Sequence, residues 1–228
     1  MNTKELLNFL NVCQIAKSRD VKLTVVNGSI NANFVNEDNT VFVKSSLEIG
    51  DAHDCEFCVN VPIFVNFLQQ FGDDVTIEIG SPTITINDSR LSVTFMKLKE
   101  EMIKSSKIPK VELVGFNQSI DITVEDVKKM LNISKLLDEF SMCFEIKDSL
   151  FNILVKNKSK LKIPVDGISF SMVRHFMDYV ITDAMIKATS DVKMSIADNP
   201  EFPVLFQYNS GQTKVETYAV PFIPREEK

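Results

Sequence analysis

The chain has 228 residues, 44% of them hydrophobic, with 17 Phe, no Trp and a formal net charge of -6. That is enough apolar material for one large domain or two ordinary ones, and it excludes a disordered polymer. The acidic balance excludes a protein that grips nucleic acid over its whole surface, because neutralising phosphates takes clustered Lys and Arg.

The segment 3-17 carries Leu6, Leu7, Leu10 and Cys13 at helical spacing behind Thr3, a candidate N-cap, and is predicted as the first helix. Three β-rich runs follow, VKLTVVN, SINANFV and TVFVKSSLEI, separated by Asn27-Gly28 and by Asn36-Glu37-Asp38-Asn39, both turn signals. CEFCVNV leads into a second helix over 62-71, with Pro62 in its first turn and Gly72 as its C-terminal stop. VTIEI, TITIN and LSVTFMKL then alternate as strands, and the first half ends near Lys99.

Residues 100-118 are charge-rich, hold Pro109 and Gly115 and show no sustained period, so they read as a connector between a first domain, 1-99, and a second, 119-228. The pattern then restarts. A third helix is predicted over 123-136, with Thr123 as cap and Val124, Val127, Leu131 and Leu137 near one face. FSMCFEI, LFNILVKN and KLKIPV follow as strands. A fourth helix is expected over 169-181, from Val173, Phe176, Met177 and Val180, before VKMSI, FPVLFQY and KVETYAVPFI close the chain.

The order helix, strands, helix, strands therefore occurs twice, offset by about 120 residues. Leu10-Asn11-Val12 matches Leu131-Asn132-Ile133, and Val75–Ile79 falls where Val192–Ile196 falls in the second half. The expected fold class is α+β, with two similar domains of two helices each on antiparallel sheets.

This repeat, its Pro-containing linker and the closing stretch VKMSIADNPEFPVLFQYNSGQTKVETYAVPFIPREEK resemble the DNA sliding-clamp family, the polymerase processivity factors that include proliferating cell nuclear antigen and the phage clamps. ITVEDVKKMLNISKLLDEFSMCFEI is similar to the third helix and following strand of phage clamps, and the region after Gly167 is short of a strand relative to the cellular ones. The resemblance implies a ring around duplex DNA with helices lining the hole and sheets outside. It also implies a homotrimer, no cofactor and no metal, with a DNA polymerase and a clamp-loader ATPase as partners. A soluble, intracellular, DNA-associated protein is expected, because no run of eighteen apolar residues occurs and the N-terminus lacks a signal-peptide pattern.

Within such a ring the predicted helices carry Lys4, Lys17, Lys128, Lys129, Lys135 and Arg174 against Glu5, Glu125, Asp126 and Asp178, a small positive excess in an acidic chain. Lys4, Asn8 and Asn11 form one stripe, and Lys128, Asn132 and Lys135 another. A weakly positive lining suits sequence-independent sliding, whereas an ordinary solvated helix face is the alternative reading. The resemblance also implies a partner-peptide pocket at Val41, Val43, Ile108, Pro109, Pro221, Phe222 and Ile223, although Val41 and Val43 also read as core strand residues. It implies head-to-tail subunit contacts through Val93, Phe95, Leu161 and Ile163 on two edge strands.

Two rival readings stand beside this one. An enzyme would have to use the weak cluster His53, Cys55 and Cys58, or His175, the second of only two histidines. Cys-x-x-Cys without a second pair is a poor zinc site and leaves four cysteines that read as reduced thiols; the seven glycines build no phosphate loop. A monomeric DNA-binding processivity module would need a more basic face.

Overall fold

The computed structural model describes residues 2-14, 19-35, 40-103, 115-137, 142-147, 150-155, 159-164, 172-176, 187-197, 199 and 202-220. The chain divides into two compact units, Met1–Pro109 with Ser210–Val215, and Lys110–Asn209 with Glu216–Lys228.

In the first unit, helix α1 (Thr3–Cys13) buries Leu6, Phe9, Leu10, Val12 and Cys13, the apolar stripe its spacing predicts. Its N-cap is Asn2, whose side-chain oxygen accepts the Glu5 N–H at 3.1 Å. The expected cap, Thr3, is instead the first helical residue and spends its hydroxyl on the Gly72 carbonyl at 2.6 Å. The long-range partner outweighs the local one.

Strands β1 (Asp20–Val26), β2 (Ser29–Val35), β3 (Val41–Glu48) and β4 (Cys55–Asn60) form an antiparallel meander in the order β4-β1-β2-β3. The β1–β2 hairpin turns at Asn27 (φ 50°) and Gly28 (φ 72°), the left-handed pair that a two-residue turn needs. A Cβ on Gly28 would lie 2.6 Å from the Gly50 carbonyl oxygen, so the close approach also demands glycine. Helix α2 (Val61–Leu68) starts at its N-cap Asn60, with Pro62 in the first turn as predicted. It ends three residues before the predicted stop, on Gln69 in right-handed conformation. Gly72 is therefore not the cap: it donates its N–H to Asp88 and accepts from Thr3.

The first unit is completed by a three-stranded sheet, β5 (Thr76–Ile79), β6 (Thr83–Asn87) and β7 (Ser92–Met96), in the order β5-β6-β7. Phe95 of β7 stacks on Phe67 of α2 at 5.1 Å and packs against Phe64 at 5.7 Å.

In the second unit, β8 (Gln118–Ile122) precedes helix α3 (Val124–Leu137). The sequence reading takes all of 100-118 as connector and misses β8, because its five residues offer only Ile120 and Ile122 as an apolar signal. Both are buried, at 3% and 0% exposure, once β8 pairs with β13. Thr123 caps α3 as predicted, accepting the Asp126 N–H at 3.1 Å, while Asp191 accepts the Val124 N–H at 3.0 Å. Val127, Met130 and Leu131 bury the inner face of α3.

Strands β9 (Met142–Lys147), β10 (Leu150–Val155), β11 (Ser159–Pro164) and β12 (Met172–Phe176) form a second antiparallel sheet in the order β11-β10-β9-β12. β12 overturns a sequence expectation. Residues 172-176, expected inside a fourth helix, are a strand that pairs Met172 with Ile146 through Phe176 with Met142. The run Met-Val-Arg-His-Phe fits either period, and an open edge on β9 favours the extended form. The rest of 169-181 lies outside the described residues.

Strands β13 (Val192–Ile196), β14 (Val204–Ser210) and β15 (Thr213–Ala219) close the chain, in the sheet order β15-β14-β13-β8. Phe144 is fully buried between Phe151 at 5.5 Å and Phe206 at 6.0 Å, at the centre of this unit's core. The two units thus share one plan: a helix, a meander on its inner face, and a closing run of strands.

Candidate functional site

The polar faces of α1 and α3 are the surfaces on which the repeat converges. Both helices bury the residues at their matched positions, Leu10 and Leu131, and turn the next residue, Asn11 or Asn132, outward. On α1 the outward stripe is Lys4, Asn8 and Asn11; on α3 it is Lys128, Asn132 and Lys135, all three exposed.

The cations of α3 are not equivalent. The Lys129 ammonium lies 3.0 Å from Glu125 and 3.8 Å from Asp126, and the hydrogen bond to Glu125 is the largest cause that holds it above the ordinary lysine range. Its charge is answered on its own helix. Lys128 and Lys135 make no ion pair among the described residues. On α1, Lys4 is exposed, and Glu5 is engaged elsewhere: its Oε2 accepts the Gln212 N–H at 3.0 Å at the turn between β14 and β15. Gly211 makes that approach possible, since at φ 60° a Cβ there would sit 2.7 Å from the same oxygen. Each of these two helix faces, taken by itself, is sparsely cationic and carries asparagine.

Of the other residues expected to meet DNA, Lys17 lies outside the described residues and Arg174 is on strand β12. Arg174 thus leaves the helix-borne set. Val41 and Val43 are buried, at 4% and 0% exposure, and serve as core residues of β3, as the alternative reading of them has it. Ile108, Pro109, Pro221, Phe222 and Ile223 lie outside the described residues.

Val93 and Phe95 sit on β7 and Leu161 and Ile163 on β11; all four are half-buried, and each strand is the outermost of its sheet. An edge strand presents unpaired N–H and C=O groups that another chain can meet. Sequence reasoning reaches these edges through resemblance alone, since no local signal separates an edge strand from a central one.

His53 is exposed, Cys55 half-buried and Cys58 buried, and burial raises both thiols above their ordinary range. Cys58 lies next to the ion-paired Lys22, whose ammonium bridges Glu56 at 2.7 Å and Glu100 at 2.9 Å. Among the described residues no group of three His, Cys, Asp or Glu is arranged to hold a metal ion. Likewise, no helix among them is long and apolar enough to cross a membrane.

No protein-family model and no curated protein sequence matches the chain. Solved structures do. A. fulgidus PCNA, in a structure with the C-terminal region of FEN-1, superposes with a TM-score of 0.77 at 14% identity, over 99% of this chain and 98% of that one. PCNA from Entamoeba histolytica gives 0.76 at 10% identity, over 98% and 97%. The DNA polymerase III subunit beta from Pseudomonas aeruginosa gives 0.73 at 11%, over 99% of this chain and 64% of that one. At these identities what is shared is the fold, along nearly the whole chain.

Proposed function

From the premise that this chain folds as the DNA sliding clamps do, we propose that it is one subunit of a ring that encloses duplex DNA and tethers a polymerase and other DNA-acting proteins to it. The observation that carries this reading is coverage: a twice-repeated unit matches clamp structures over 97–99% of its length. The protein is a scaffold and not an enzyme on this reading. Its domains are 1-99 and 119-228, joined by the connector 100-118.

Enclosure explains why the chain can be acidic overall. A ring needs no affinity for a particular sequence, only a lining that does not repel phosphate, and Lys4, Lys128 and Lys135 with their asparagine neighbours supply it. Lys17, Lys129 and Arg174 complete the proposed set of DNA-facing cations. The free edges of β7 and β11 support head-to-tail closure, in which Val93 and Phe95 of one subunit meet Leu161 and Ile163 of the next. Three subunits of two units each would make six around the hole. The PCNA2–PCNA3 complex of Sulfolobus tokodaii is a precedent for association between chains of this fold.

Partners are proposed to dock short peptides against the linker and tail, at Ile108, Pro109, Pro221, Phe222 and Ile223. The C-terminal region of FEN-1 bound to A. fulgidus PCNA is a precedent for a protein segment bound to a chain of this fold. A loader ATPase opens the ring, since a closed one cannot thread onto circular DNA. The test is retention after loading: the protein should stay on a closed circle and run off the same DNA once it is linearised. Equal loss from both would sink the proposal.

A further inference from the structure

The two units differ at β5 and its counterpart β13. In the second unit β13 lies between β14 and β8, and Val192, Met194 and Ile196 are all 0% exposed. Its counterpart in the first unit is β5, which is the outer strand of its sheet and pairs with β6 alone. Its inward residues, Ile77 and Ile79, stay half-exposed. An antiparallel bridge joins Asn2 to Asp74, two residues before Thr76. Among the described residues nothing occupies the outer edge of Thr76–Ile79.

A groove of about 560 Å³ opens beside this edge. Val25, Ile30, Phe57 and Phe64 line it together with Ile77 and Ile79, and Asp51 and Glu78 stand on its rim. His53 is the one further ionisable side chain there apart from the Cys55 thiol, and neither Lys nor Arg lines it. Three observations thus coincide: backbone groups without a ladder partner, half-exposed apolar side chains, and carboxylates without a cation. The second unit displays what satisfies the first two, since β8 adds one strand and buries Ile120 and Ile122.

We propose that an extended segment of a partner protein, apolar on one side and carrying Lys or Arg at the flanking positions, adds as a fourth strand to the edge of β5. Its backbone completes the ladder, its apolar side chains fill the groove, and its cations meet Asp51 and Glu78. Strand addition takes its affinity from main-chain hydrogen bonds and its selectivity from alternate side chains. The site is distinct from the proposed linker-and-tail pocket and from the β7 and β11 edges, so it stands or falls apart from ring closure.

The probe is a labelled heptapeptide of alternating lysine and isoleucine, titrated against the full chain by fluorescence anisotropy, with hydrogen exchange read residue by residue. Saturable binding is expected, with slowed exchange at Thr76–Ile79. N-methylating alternate peptide nitrogens should abolish binding in one of the two registers. Asp51→Lys with Glu78→Lys, both exposed and so compatible with folding, should weaken the lysine peptide at least about ten-fold and strengthen a glutamate–isoleucine peptide. The proposal is overturned by no binding up to millimolar peptide, by binding that survives N-methylation in both registers, or by protection confined to other strands. Protection of Thr76–Ile79 without peptide that vanishes on dilution also overturns it, by making a second copy of the chain the occupant.

Discussion

Asp88 accepts three backbone N–H groups, from Gly72 at 3.1 Å and from Arg90 and Leu91 at 2.7 Å each, and these hold its carboxyl below the ordinary aspartate range. A carboxylate whose folded pKa is depressed stabilises the fold above its unfolded pKa, and that contribution is lost as pH falls through the folded value. Asp88→Ala should therefore lower the melting temperature at pH 7, and the gap to the parent should close on acidification below the ordinary value of 3.8. A gap that stays constant across that window would assign the effect to something other than the charge. Thr123→Ala removes the α3 cap and should cost about 1 kcal/mol in denaturant unfolding, since Asp126 N–H loses its acceptor. Thr123 is legible in the sequence because its partner lies three residues away. The cap of α1 is not, because the hydroxyl of Thr3 goes to a carbonyl 69 residues distant and leaves the role to Asn2.

At the scale of elements, α3 separates charges that composition lumps together. Lys129 is committed to Glu125 and Asp126, while Lys128 and Lys135 are free of ion pairs among the described residues. Lys128→Glu with Lys135→Glu should therefore weaken binding to a short duplex and flatten its salt dependence by about two in the log–log slope, roughly 0.9 for each phosphate no longer neutralised. Lys129→Glu should do less. Duplex titrations across a range of NaCl concentrations check both, and equal effects of all three lysines would contradict the assignment. The strands are easier to read than the helices: every predicted strand run of the first half recurs at its place, because alternation and turn residues are local. In the second half β8 and β12 are missed: β8 offers only two apolar residues, and the run Met-Val-Arg-His-Phe fits either period and pairs with the edge of β9.

At the scale of the whole molecule, the proposed assembly depends on strands that are edges in the single chain. Among the described residues β7 and β11 each lack an outer neighbour, and Leu161 and Ile163 are half-buried there. Leu161→Asp with Ile163→Asp should reduce the solution mass from three times 25.8 kDa to that of one chain, with the circular dichroism spectrum preserved. An unchanged mass would place the subunit interface elsewhere. The two proposals assign different edges of the first unit: β7 to ring closure, and β5, flanked by its acidic groove, to a segment from another protein.

Sequence by itself determined the α+β class, the repeat, the Asn27-Gly28 hairpin and the apolar stripes of α1 and α3, because each is written in neighbours a few residues apart. Tertiary structure alone decided which strands are outermost among the described residues, that Val41 and Val43 are buried in the core, that 172-176 is extended, and that β5 has no described counterpart of the β8 strand that pairs with β13. Those outcomes turn on hydrogen-bond partners and burial contributed from tens of residues away, which local period and propensity do not encode.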